Sequence, residues 1–181
     1  TMQRILDAAW ELADEQGLAG ISLRDLAARV DLRQPSLYSY FDSKFGLYDA
    51  LFAQGCEQLL AAREAQRWST DPRRAVKEMA RAFVSFAVEN PPRAQLLFLR
   101  TIPGFEPSPE SYALAQRVLD GARQRLAAAG LTRQRQLDMY TALASGLVHQ
   151  QLANDPGGTR WVRLTDEMID MFLDHNERGG K

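Results

Sequence analysis

Apolar residues recur at three- and four-residue spacing along nearly every segment, and no stretch alternates cleanly with period two, so the pattern predicts an all-α chain of about nine helices. The first, Met2 to Gln16, places Ile5, Ala9 and Leu12 on one face and stops at Gly17, a C′ residue. Ser22-Leu23-Arg24-Asp25 opens a second, short helix with a capping-box pattern in which Asp stands for Glu; Leu23, Leu26, Ala27 and Val30 face inward. Asp31 and Leu32 make a turn, with Asp31 expected in the left-handed conformation. A third helix runs from Gln34 to Tyr40 with Pro35 in its first turn, where the missing N–H costs nothing. Asp42-Ser43 then caps a long helix reaching Gln66, with Leu47, Leu51, Phe52, Leu59 and Leu60 along it. Beyond Ser69-Thr70-Asp71-Pro72, helices are expected near 73–90, 92–101, 109–129, 132–153 and 160–175, punctuated by prolines and glycines. No internal repeat or low-complexity tract is evident.

Composition changes the picture mainly by exclusion. The 181 residues are 45% hydrophobic and 25% charged, ordinary for a globular protein, and no apolar run approaches the roughly 20 residues that span a bilayer. No membrane association is expected, and Thr1 to Leu6 lack the apolar core of a secretory signal. A single cysteine, Cys56, excludes an intrachain disulfide, so the expected compartment is the cytoplasm. His149 and His175 have no metal-ligand spacing with Cys56, and no Gly-rich phosphate loop occurs, so neither catalysis nor a metal or cofactor is expected.

The net charge of −1 argues against a broad basic surface that coats nucleic acid. Residues 1–66 hold six bases (Arg4, Arg24, Arg29, Arg33, Lys44, Arg63) against ten acids, so this end is itself acidic. Four of those six lie between Arg24 and Lys44, however, a stretch that spans a pair of short helices joined by a tight turn, the arrangement of a helix-turn-helix, and the start of the long helix after it. The second of the pair, with its flanks, reads Arg33-Gln34-Pro35-Ser36-Leu37-Tyr38-Ser39-Tyr40-Phe41, rich in hydrogen-bonding side chains. Gln suits the adenine edge and Arg the guanine edge, whereas Ser and Tyr hydroxyls suit phosphate. Lys44, in the first turn of the long helix, opposes the macrodipole. Two readings balance it: a DNA phosphate held at that helix start, or an ion pair with Asp42 or Asp49.

Ser22-Leu23-Arg24-Asp25-Leu26-Ala27, then Arg33-Gln34-Pro35-Ser36-Leu37-Tyr38, then Phe41-x-Ser43-Lys44-x-x-Leu47 resemble the head of the tetracycline-repressor (TetR) family over roughly residues 4–52. The resemblance implies DNA-facing roles for Arg24, Arg33, Gln34, Pro35 and Ser36 at bases or their flanking backbone, and for Tyr38, Tyr40 and Lys44 at phosphates. Two positions depart from the pattern: Asp31 stands where the family has Gly, and Tyr40 where it more often has His. The implied organisation is a DNA-binding domain at 1–46, a connecting helix at 47–66, and an effector-binding and dimerisation body at 67–181. Its partners are a double-stranded operator, a second copy of the chain and a small-molecule effector. The other reading is a helical scaffold that keeps such a head without DNA binding, which the acidic balance and Asp31 favour.

Within the body, Phe83, Phe86, Phe98, Phe105, Tyr112, Met139 and Tyr140 are candidates to line an apolar effector cavity, against the alternative that each is core. Ile102-Pro103-Gly104-Phe105 is the candidate cavity wall. Ala142, Ser145, Gly146, His149 and Leu152 form a stripe of mostly small residues, and Trp161, Leu164, Met168 and Phe172 a second apolar face. The resemblance implies that these pair as a two-fold four-helix interface.

Overall fold

The computed structural model describes residues 1–178, Arg178 through its backbone only. Its described residues form nine α-helices: α1 (Met2–Gln16), α2 (Leu23–Arg29), α3 (Gln34–Leu37), α4 (Lys44–Ala65), α5 (Pro72–Glu89), α6 (Pro91–Phe98), α7 (Pro109–Ala128), α8 (Gln134–Asn154) and α9 (Thr165–Arg178). Single 3₁₀ turns occupy Leu18–Gly20 and Val162–Leu164. Two boundaries differ from expectation. The third helix ends at Leu37 rather than Tyr40, its last residues forming a turn in which the Tyr40 and Phe41 N–H groups both donate to the Leu37 carbonyl. Trp161 and Leu164 precede α9 instead of lying on it, because the Gln151 side chain accepts the Trp161 and Val162 N–H groups and holds that segment as a loop.

The chain divides into two compact units, residues 1–58 with 91–115, and residues 59–90 with 116–178 of those described. α6 and the segment to Ala115 therefore pack with residues 1–58.

In the first unit, α1 buries Ile5, Leu6, Ala9, Trp10 and Leu12 against Leu26, Ala27 and Val30, Leu37 and Phe41, and Leu47, Tyr48, Leu51 and Phe52 of α4. Leu37 is fully buried, and its burial contributes about 2 kcal/mol, the largest single anchor available to a four-residue helix. Local signals fix the ends. Ser22 Oγ accepts the Asp25 N–H at 3.0 Å, and Ser43 Oγ accepts the Gly46 N–H at 3.1 Å. Asp31 takes φ 54°, as expected. Around it the Leu32 N–H returns to the Ala27 carbonyl at 2.9 Å and the Asp31 N–H to Ala28 at 3.4 Å, which is a Schellman closure of α2. The Arg4 guanidinium donates to the Val30 carbonyl and satisfies the same helix end. Arg29 pins α2 to α1 by two hydrogen bonds to Glu15, at 2.9 and 2.7 Å.

The second unit is a separate core in which Val76, Met79 and Ala80 of α5 meet Leu137 and Tyr140 of α8 and Ile169, Phe172 and Leu173 of α9. Along one edge, bases of α5 at four-residue spacing face acids of α9 at the same spacing. Arg73 binds Asp174 at 2.7 Å and also Glu177, Lys77 binds Asp170 at 3.1 Å, and Arg81 binds Asp166 at 2.6 Å.

Because Asp31 is exposed and holds a conformation that glycine adopts without steric cost, Asp31→Gly is expected to stabilise the protein by about 1 kcal/mol. The check is the urea midpoint at constant m-value; a lower midpoint means the carboxylate itself supports the turn.

Candidate nucleic-acid interface

The interior demand for Leu37 and Phe41 turns the remaining side chains of that segment outward. Arg33, Gln34, Pro35, Ser36, Tyr38, Ser39 and Tyr40 are all exposed, with Leu37 the buried residue among them. The Arg24 side chain on α2 is 83% exposed, its one ionic contact among the described residues being Asp25 at 3.7 Å. The structure thus brings Arg24 and the 33–40 segment, carried by the packed pair α2 and α3, onto the surface of the first unit. Ser39, which sequence reasoning passed over, turns its hydroxyl back to the Ser36 carbonyl at 2.7 Å and closes the segment after α3.

Among the described residues Lys44 does not form the anticipated ion pair with Asp42 or Asp49. Its ammonium donates to the Ala19 carbonyl at 2.7 Å and sits 5.6 Å from the Tyr48 ring centre, so carbonyl and π-face supply the negative potential that the helix start does not. Asp49, one of the anticipated partners, instead accepts from the Ser108 N–H at 2.7 Å and from the hydroxyls of Ser108 and Ser111, both at 2.9 Å, at the start of α7. An ammonium has three donors, and the carbonyl uses one. Tyr48 completes the anchor, its hydroxyl donating to the Leu18 carbonyl at 2.7 Å; the 3₁₀ turn between α1 and α2 is therefore tied to α4 twice. Burial pushes the Tyr48 phenol up to about 12.

The acids of the head are spent elsewhere. Glu11 and Glu15 face Arg29, whose hydrogen bonds hold the Glu15 carboxyl below the usual carboxylate range. Asp7 accepts from Gln3 at 2.8 Å, and with Asp14 it attracts Arg93, which lies 4.6 Å over the Trp10 ring. Four of the ten acids of this end lie on α1, and among the described residues Arg24, Arg33 and Lys44 form no carboxylate contact closer than the 3.7 Å of Arg24 to Asp25.

The other anticipated residues disperse. Phe98, Phe105 and Tyr112 belong to the first unit, Phe83, Phe86, Met139 and Tyr140 to the second. Phe105 joins Phe45, Tyr48 and Phe52 at ring distances of 6.1, 5.8 and 6.4 Å, so the 102–105 loop packs on α4. Tyr112 is exposed, Phe83, Phe86, Phe98 and Met139 are half-buried, and Tyr140 is buried against Phe172, 6.3 Å between rings. A cleft of about 460 Å³ in the second unit is lined by Leu131, Thr132, Arg133, Gln136, His175 and Asn176, none of them an anticipated effector residue. Of the expected interface stripe, Ala142, Gly146 and His149 are exposed, and a side chain at Gly146 would meet open space. Ser145, Leu152, Trp161, Leu164 and Met168 are half-buried, whereas Phe172 is only 3% exposed and faces the chain's own core.

Comparison with known proteins bears on this surface. Residues 5–51 match the model of the family described as bacterial regulatory proteins, tetR family. The HTH-type transcriptional regulator YobS of Bacillus subtilis (strain 168) is 33% identical over 91 residues, covering 50% of this chain and 48% of that protein. The chain thus spans about half the length of the curated relatives it matches. The fold is shared with the TetR family transcriptional regulator PfmR from Thermus thermophilus, at TM-score 0.68 and 24% identity over 94% of this chain and 97% of that one. It is shared also with a TetR variant from Acinetobacter baumannii AYE in complex with minocycline, at TM-score 0.64 and 26% identity over 96% and 94%.

The raised Tyr48 phenol gives a pH dependence. A group whose folded pKa exceeds its unfolded value stabilises fully below the unfolded value, so this contribution is present below 10 and is lost as pH rises towards about 12. Stability of the Tyr48→Phe variant is expected to be lower at neutral pH and to fall less steeply over that interval; parallel pH profiles for the two proteins contradict the assignment.

Proposed function

With membership of the TetR family as premise, we propose that this chain is a sequence-specific DNA-binding transcriptional regulator, a homodimeric cytoplasmic repressor released from a palindromic operator by a small apolar or amphipathic molecule. The observation that carries the reading is the outward set of Arg33, Gln34, Ser36, Tyr38 and Tyr40 held around one buried anchor, Leu37. Functionally, residues 1–46 read DNA, 47–66 connect, and 67–181 bind effector and dimerise. Arg24, Arg33 and Gln34 read base edges with Pro35 and Ser36 at the flanking backbone, while Tyr38, Tyr40 and the two spare donors of Lys44 hold phosphates. The exposed stripe of Ala142, Gly146 and His149 on α8 is the mating surface, with Ser145, Leu152 and Met168 at its border. Two-fold pairing there sets two heads about 34–36 Å apart, one turn of DNA. The minocycline complex of the TetR neighbour supports an effector role for the body. Effector binding shifts the population towards a head spacing that no longer fits the operator.

Operator affinity is expected to fall linearly with salt on logarithmic axes. Gln34→Ala is expected to relax preference at one base pair per half-site at about 1–3 kcal/mol, while Tyr38→Phe weakens all sequences alike. These are read by selection from a randomised duplex pool followed by titration in rising salt; a flat salt response favours a scaffold that does not bind DNA. Gly146→Trp is expected to convert the dimer to monomer in sedimentation, with far-ultraviolet circular dichroism unchanged. A dimer that persists places the interface elsewhere.

A further inference from the structure

Two partly buried guanidinium groups in the second unit form no ion pair among the described residues. Arg63, near the end of α4, is half-buried and among the described residues donates to neutral acceptors, the Val118 carbonyl of α7 and, at 3.4 Å, the Met79 sulfur of α5. Arg125 of α7 lies 3.7 Å over the Trp68 ring, and its Nε is buried without an acceptor. Neither takes part in an ion pair among the described residues. Glu78, whose charge acts on Arg125, already accepts from the Ser69 N–H at 2.8 Å and from Arg74 at 3.2 Å. The buried Tyr140 of α8 lies within the electrostatic reach of both arginines. A methyl group at Gly121 would come 3.3 Å from a terminal nitrogen of Arg63, so glycine there leaves the guanidinium its room. Burial disfavours the charge of both arginines, as expected of desolvated cations without a counter-ion.

Removing a cation from water without its partner is costly, and perturbed charges of this kind cluster where a ligand supplies the missing sign. We propose that Arg63, Arg125 and Tyr140 receive the carboxylate of the effector, an organic acid with an apolar body. The inference rests on the ligand-responsive reading above and narrows it to one chemical class. Two guanidinium forks match a planar carboxylate, and the phenol adds one donor. Met79, Trp68 and Phe172, apolar neighbours in the same unit, favour a singly charged group over a more strongly hydrated phosphate.

The test uses straight-chain monocarboxylates from acetate to decanoate, decanol as the neutral counterpart and inorganic phosphate, each titrated into the full chain by calorimetry and thermal melting without DNA, below the micelle concentration. Decanoate is expected to bind saturably and raise Tm, decanol and phosphate not. Arg63→Gln and Arg125→Gln are each expected to weaken decanoate at least about tenfold. Arg125→Met in the unliganded protein is expected to melt at or above the wild-type temperature, since it removes an uncompensated cation. Equal responses to decanoate and decanol, no response to any carboxylate, affinity retained in both Gln variants, or a clear drop in Tm for Arg125→Met overturns the site. Operator release is measured separately. Carboxylate binding without release defeats the ligand-responsive reading and leaves the site standing, whereas release by a neutral molecule with no carboxylate response does the opposite.

Discussion

A helix of four residues cannot hold itself, because nucleation costs more than so few hydrogen bonds return. α3 exists because Leu37 must be buried, and that single constraint orders the head around it. Phe41, Leu26 and Val30 fill the same interior, α4 provides its wall, and each neighbour of Leu37 that carries a hydrogen-bonding group is left facing water. The surface proposed to face DNA is the complement of the core, so its composition can vary while its position cannot. The two ties from α4 to the Leu18–Gly20 turn, through Tyr48 and Lys44, hold α2 in register with that wall. Lys44 consequently serves the fold before any phosphate, which explains a cation at a helix start without invoking a bound anion.

What the sequence made legible was local. Caps at Ser22 and Ser43, the left-handed Asp31, the Pro35 helix start and the inward faces of α1 and α2 all follow from residues within a few positions of one another, and the structure carries each of them. Contacts across long separations were not legible. Asp49 reaches Ser108 and Ser111, Trp10 donates to Gln54 at 2.7 Å, and Phe105 inserts among rings of α4, none of which periodicity can announce. The same blindness affected the body. Helical spacing marks Tyr140 and Phe172 as apolar-facing without saying what they face, and in the structure they face each other. Trp161 fits the period of α9 and yet lies outside it, because a buried Gln151 ten residues earlier captures its N–H.

Net charge misleads in this chain for a physical reason. Electrostatic attraction to DNA depends on which charges stand near phosphate within a screening length of about 8–10 Å, not on the domain's sum. Glu11 and Glu15 are engaged with Arg29, and Asp7 and Asp14 act on Arg93, all from α1, while Arg24 and Arg33 stay exposed.

The second unit shows the opposite distribution of effort. On the α5–α9 edge Arg73, Lys77 and Arg81 each have an acid at matched spacing, although solvent screens such pairs. Away from that edge, where burial makes an unpaired charge costlier, Arg63 donates to a carbonyl and a sulfur and Arg125 lies over an aromatic face, with no ion pair for either among the described residues. Packing alone would be served as well by leucine or methionine. Carboxylates matched to bases on the α5–α9 edge and absent beside Arg63 and Arg125 leave positive charge there, which the proposed site would use to select its occupant by sign before shape.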